Sequence, residues 1–197
     1  MAKKFLIPIV IGIILILVGG FFWWQKREIK GSPKDYVIKE TGEGKVIENK
    51  KAGLTVKAPE GWEIKKIEIE EGAIAFYPPD IMVDWKEGKI VLPLKKGCRI
   101  ETSVGYGNVD FMDIKIELRY SYALMGMKFV NFEETTINNY RALKSIFDIQ
   151  KEGAGTGMSI SIPVNNRVYG FSVVWGPSEK EKCIQNFNNF LETISIR

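Results

Sequence analysis

The 197-residue chain contains no histidine. Imidazole is the commonest general base near neutral pH and the usual partner of serine or cysteine in hydrolase triads. Its absence removes those mechanisms whatever the fold. It also removes most zinc and iron sites, which rely on imidazole ligands. Cysteine is scarce: Cys98 and Cys183 are the two in the chain. They lack the Cys-X-X-Cys spacing of thiol–disulfide exchange, and neither lies near the N-terminal apolar run, which closes the lipoprotein route. Charge of one sign is lacking beyond the N-terminal quarter. Up to Lys50 there are nine Lys+Arg and five Asp+Glu, and from Lys51 onward 19 of each. The net charge of +4 therefore belongs to the N-terminal quarter. Nucleic-acid modules carry a basic face on the folded part itself, so no nucleic-acid partner is expected. Gly153-Ala154-Gly155-Thr156-Gly157 is followed by neither Lys-Ser/Thr nor a helical pattern, so it does not read as a phosphate loop. No cofactor is expected.

What the sequence does have is one long apolar run. Phe5 to Trp24 is twenty residues without a charge. That length spans a bilayer core as a helix, and a soluble core helix would show a polar face. Lys3 and Lys4 precede the run. Trp23, Trp24, Lys26 and Arg27 close it as a membrane interface. A cleaved signal peptide competes, since Val18-Gly19-Gly20 offers small residues, but the run is long and bulky aromatics follow it at once. The positive-inside balance is close to a tie. The short N-terminal tail favours a signal anchor with the remaining chain exported. The expected location is the cytoplasmic membrane, single-pass, with the domain outside the cytoplasm and residues 5–24 in the lipid bilayer.

Three segments follow: an anchor with flanking charges (1–27), a polar tether (28–52) with a short strand as alternative around Tyr36–Ile38, and a globular part (53–197). From Gly53 the text turns to strands and turns. A Pro-Glu-Gly turn precedes Trp62, which is expected to point inward. Cys98, Ile100, Thr102 and Val104 alternate on one strand face. Asn138-Asn139 and Asn165-Asn166 each separate two strand-like runs, as tight hairpins require. NVDFMDIKIELRYSYALM fits either alternation or a helical row through Phe111, Ile114, Leu118, Tyr122 and Met125. Ser178 with Glu181 reads as a capping box for a last helix burying Cys183, Phe187, Phe190, Leu191 and Ile194. The class is α+β.

GLTVKAPEGW, TTINNYRALKSIFD, SIPVNNRVYGFSVVW and a closing helix ending in FLETISI occur in that order. In order and texture they resemble the PsbP family. The resemblance covers Gly53 to Arg197. It implies an α/β/α sandwich around a central antiparallel sheet, with a helix over Asp110–Met125. It also implies a scaffold that binds other proteins rather than an enzyme. The membrane segment and the missing histidine depart from the photosynthetic members, so no photosystem role is carried over.

Among candidate sites, Cys98 and Cys183 make an even count, which in an exported domain invites a disulfide; two buried free thiols are the alternative. Glu68, Glu70, Glu71, Glu133 and Glu134 read as solvated faces. A calcium site at Glu68, Glu70 and Glu71 would need more oxygens at loop spacing, and Asp80, Asp84 and Glu87 lie in an irregular stretch between two strands where weak cation binding is an alternative. Tyr77, Ile81, Met82 and Trp85 lie in an apolar stretch that reads as a docking loop, with folding back over the core as the alternative. The expected function is a tethered, non-enzymatic domain docking on another envelope protein. The alternative is a binder of a lipid or peptide in a cleft between sheet and helix. A carboxylate-based hydrolase is the third reading.

Overall fold

The computed structural model describes residues 35–42, 44–67, 73–86, 89–106, 110–124, 126–149 and 156–197. The expected membrane segment 5–24, with Trp23, Trp24, Lys26 and Arg27, lies outside them, as does the acidic run at 68–71. The described residues form strands β1 (Tyr36–Thr41), β2 (Gly44–Asn49), β3 (Leu54–Lys57), β4 (Glu63–Ile67), β5 (Ala73–Tyr77), β6 (Met82–Lys86), β7 (Lys89–Lys96) and β8 (Cys98–Tyr106). Helix α1 (Phe111–Leu124) comes next, then β9 (Met127–Ile137), β10 (Tyr140–Ile149), β11 (Thr156–Val164) and β12 (Arg167–Trp175). Helix α2 (Lys180–Glu192) and the short β13 (Ser195–Ile196) complete the order. A seven-stranded sheet runs β4-β5-β8-β12-β11-β10-β9, a four-stranded sheet β1-β2-β3-β13, and β6 pairs with β7. The class is α+β, mostly strand.

Two asparagine pairs set the late hairpins. Asn138 and Asn139 take φ of 47° and 69°, and Asn165 and Asn166 take 51° and 58°. Left-handed backbone at both central residues matches the twist of the flanking strands, and asparagine tolerates it well. Asn138 also donates its side-chain amide to the Leu191 and Ile194 carbonyls, at 2.9 and 3.0 Å. The hairpin turn thus satisfies the end of α2. Tyr140 donates to the Ile196 carbonyl at 2.7 Å. β13 pairs with β3, and Gly53 takes φ of 71° where a Cβ would meet the Arg197 carbonyl oxygen at 2.4 Å. Only glycine lets the two backbone segments approach that closely.

Alternation divides the large sheet into two faces. Phe76, Ile100, Ile160, Phe171 and Val173 form the main core with Phe187 and Phe190 of α2 and with Tyr36, Ile47, Leu54 and Val56 of the small sheet. Trp62 joins this core after the Pro59–Gly61 turn, its N–H donating to the Pro59 carbonyl. On the other face a smaller cluster gathers Leu94 of β7, Tyr122 of α1, Phe147 and Val174. The two helices therefore lie on opposite faces of the large sheet.

Two expectations change. The polar tether assigned to 28–52 contains the β1–β2 hairpin from Tyr36 to Asn49, with Tyr36, Ile47 and Asn49 buried. The capping box also fails. Ser178 takes φ of 68° in the turn closed by the Glu179 N–H on Gly176, and the N-cap is Glu179, without a side-chain cap bond. The other helix does use a side-chain cap: the Asp110 carboxylate accepts from the Met112 N–H at 2.6 Å and opens α1.

Candidate functional site

Cys98 opens β8 and Cys183 sits one turn into α2. The structure joins them in a disulfide, Cα atoms 5.6 Å apart, with both residues buried. The bridge ties the central sheet to the last helix across 85 residues of sequence.

The stretch read as a docking loop is not a loop. Met82–Lys86 is a strand paired with β7. Tyr77 ends β5 and is buried, and Ile81 is half-buried against the smaller cluster under α1. Tyr77 therefore offers no contact surface. Met82 is exposed, and the side chain of Trp85 falls outside the described residues.

An exposed apolar surface lies elsewhere. Met112, Ile116, Tyr120 and Leu124 of α1 are 62%, 60%, 67% and 71% exposed. Residues four apart stack along one side of a helix. These four form a continuous stripe on the side of α1 opposite Ile114 and Tyr122, which are buried. Sequence reasoning found the inner row through Ile114, Leu118 and Tyr122 and missed the outer one. The signal was present: the 112-116-120-124 spacing is also helical. Two apolar rows on opposite sides are the reason the segment looked equally like a strand.

The helix is fixed on the sheet by charge and aromatics. Lys115 bonds Glu134 at 3.2 Å. The Arg119 guanidinium lies 5.1 Å and 5.5 Å from the Phe129 and Phe132 rings, and that of Arg141 lies 4.9 Å from Phe111. Beneath it, the hydroxyls of Tyr122, Ser145 and Ser159 close a ring at 2.7, 2.8 and 2.7 Å. Three hydroxyls in a ring can each donate once and accept once, so the group is satisfied without water. Burial pushes the Tyr122 phenol up, and its two serine bonds pull it partly back.

A cleft of about 400 Å³ runs over the same sheet face beside α1. Leu118, Tyr122, Phe147 and Val174 supply apolar walls, and Arg99, Glu101, Ser103 and Ser172 supply polar ones. Arg99 and Glu101 are paired with each other. Tyr77 stands near this pair: burial pushes its phenol up and Arg99 pulls it down. Elsewhere, Glu133 pairs with Lys144 and Asp80 with Lys96. Among the described residues no cluster of three or more His, Cys, Asp or Glu forms.

No family model and no curated protein matches the chain. Solved structures do match. Cyanobacterial PsbP (CyanoP) of Synechocystis sp. PCC 6803 superposes with a TM-score of 0.50 at 8% identity, over 83% of this chain and 93% of that one. A protein of Bacteroides thetaiotaomicron gives 0.47 at 18% identity, over 74% of this chain and 45% of the other, so this chain spans less than half of that protein. LpqN, involved in cell envelope biogenesis of Mycobacterium tuberculosis, gives 0.43 at 15% identity, over 73% and 82%. The chain has a PsbP-like fold. At 8% identity the likeness to PsbP is one of fold.

Proposed function

We propose that the chain is a membrane-tethered, extracytoplasmic, non-enzymatic interaction domain that docks a protein partner in the envelope through the outward face of α1. The observation that carries this is the Met112-Ile116-Tyr120-Leu124 stripe. Folded monomers seldom expose a contiguous row of large apolar side chains without a use for it. Three further features support the setting. Residues 5–24 have the length and flanks of an anchor. The folded part carries balanced charge. The Cys98–Cys183 bridge suits an oxidising compartment. The test is the size of the full chain extracted from its native membrane in mild detergent. The wild type should migrate as a complex, and Ile116→Asp with Tyr120→Asp should migrate as the free chain with an unchanged melting temperature. A free wild type, or a double variant still in the complex, contradicts the reading.

The cleft beside α1 favours a second reading, a small-ligand binder. Its volume is near the lower end of small-molecule sites, and its apolar walls with a few polar groups fit the usual pattern. Ser172→Leu should fill it. Loss of anilinonaphthalene sulfonate binding in that variant, with the wild type binding the dye, supports the reading, and undiminished dye binding contradicts it.

A further inference from the structure

We infer that the partner of the α1 stripe is the α1 stripe of a second copy of this chain, the two helices lying parallel. This rests on the reading that the stripe is a docking surface and names its occupant. An α-helix turns about 100° per residue. On that spacing Asp113 and Glu117 flank the stripe on one side, and Lys115 and Arg119 flank it on the other. The basic flank is held in place, Lys115 by Glu134 and Arg119 over the Phe129 and Phe132 rings.

That segregation of charge selects an orientation. In a parallel pair related by a twofold along the helix axes, each acidic flank meets the basic flank of the other copy. In an antiparallel pair, acid meets acid and base meets base. Flanking charges of this kind set partner and orientation in helix pairs. The interface is isologous, so the same four apolar side chains serve both copies. Two 14-residue helices bury less than the roughly 1,200 Å² of a stable soluble interface. Confinement of both copies to one membrane raises their effective concentration without any new contact. The pairing therefore belongs to the full, membrane-held chain.

The test uses the full chain in phosphatidylcholine vesicles at several copies per vesicle. Single cysteines replace Met112, Ile116, Tyr120 or Leu124 in turn, with Met82→Cys as an exposed control on β6. The native cysteines are already bonded to each other, so only the introduced thiols react. On mild oxidation Ile116→Cys and Tyr120→Cys should each form dimers, and Met82→Cys should not. In the Ile116→Cys background, Glu117→Lys should cut dimer yield several-fold. Mixing a Glu117→Lys copy with an Arg119→Glu copy should restore it, because the two altered flanks then match. Dimers obtained only by mixing Met112→Cys with Leu124→Cys would show antiparallel packing and overturn the parallel pair. If no position cross-links, self-pairing is overturned. In that case a native-membrane complex still lost in Ile116→Asp with Tyr120→Asp keeps the docking reading with a different protein partner. If that complex is also missing, both fall.

Discussion

The tyrosines show most plainly what burial does to single residues. Burial pushes the phenols of Tyr36, Tyr77 and Tyr122 above their ordinary value of 10. A phenol with a higher pKa in the folded state adds stability at all pH below its unfolded value. That contribution is lost as pH climbs from about 10 towards the folded value. The fold should therefore weaken above pH 10, and absorbance at the phenolate band should show the ionisation of Tyr36, Tyr77 and Tyr122 delayed in the folded chain and released as it unfolds. Early ionisation of all seven in the folded protein would contradict the burial. Trp62 is the second residue-scale case. It lies in the main core, so Trp62→Ala should cost about 3–5 kcal/mol, out of a usual domain stability of about 5–15. A thermal melt decides it; an unchanged midpoint would mean the indole contributes little.

At the scale of elements, legibility followed how local each signal was. The Asn138-Asn139 and Asn165-Asn166 hairpins were plain in the sequence because left-handed turns depend on the two residues that make them. The inward face of α2 was plain for the same reason, its period lying within one helix. The β1–β2 hairpin was not. In β1 only Tyr36 is buried and the other five side chains face outward, so the composition reads as tether. What folds it is distant: Lys66 donates to the Tyr36 carbonyl at 2.7 Å, and Tyr169 and Arg167 both donate to the Ala52 carbonyl. The site divided in the same way. Cys98 and Cys183 could be found as a pair, whereas the outer stripe of α1 was hidden by the inner row beside it. The disulfide between β8 and α2 gives an element-scale prediction. Closing a loop of this length stabilises by about 4.5 kcal/mol on the chain-entropy account. Cys98→Ser with Cys183→Ser should lower the denaturation midpoint accordingly, and an unaltered midpoint would contradict that contribution.

For the whole molecule, the proposed arrangement is an anchor at 5–24, a leash of about ten residues up to Asp35, and a PsbP-like domain whose α1 stripe faces a partner. In that proposed arrangement ten residues would reach at most about 35 Å and would hold the domain close to the bilayer. Protease added to intact spheroplasts should digest the domain; protection until lysis would place it in the cytoplasm and overturn the arrangement. In the proposed arrangement partners meet on the outward face of α1. A photo-cross-linking residue placed in turn at positions 112 to 124 of the full chain, irradiated in the native membrane, tests this most directly. Docking predicts adducts that repeat every fourth position, at Met112, Ile116, Tyr120 and Leu124, and none from Glu133 on the exposed side of β9. Adducts spread evenly round the helix, or absent from the stripe, would contradict it.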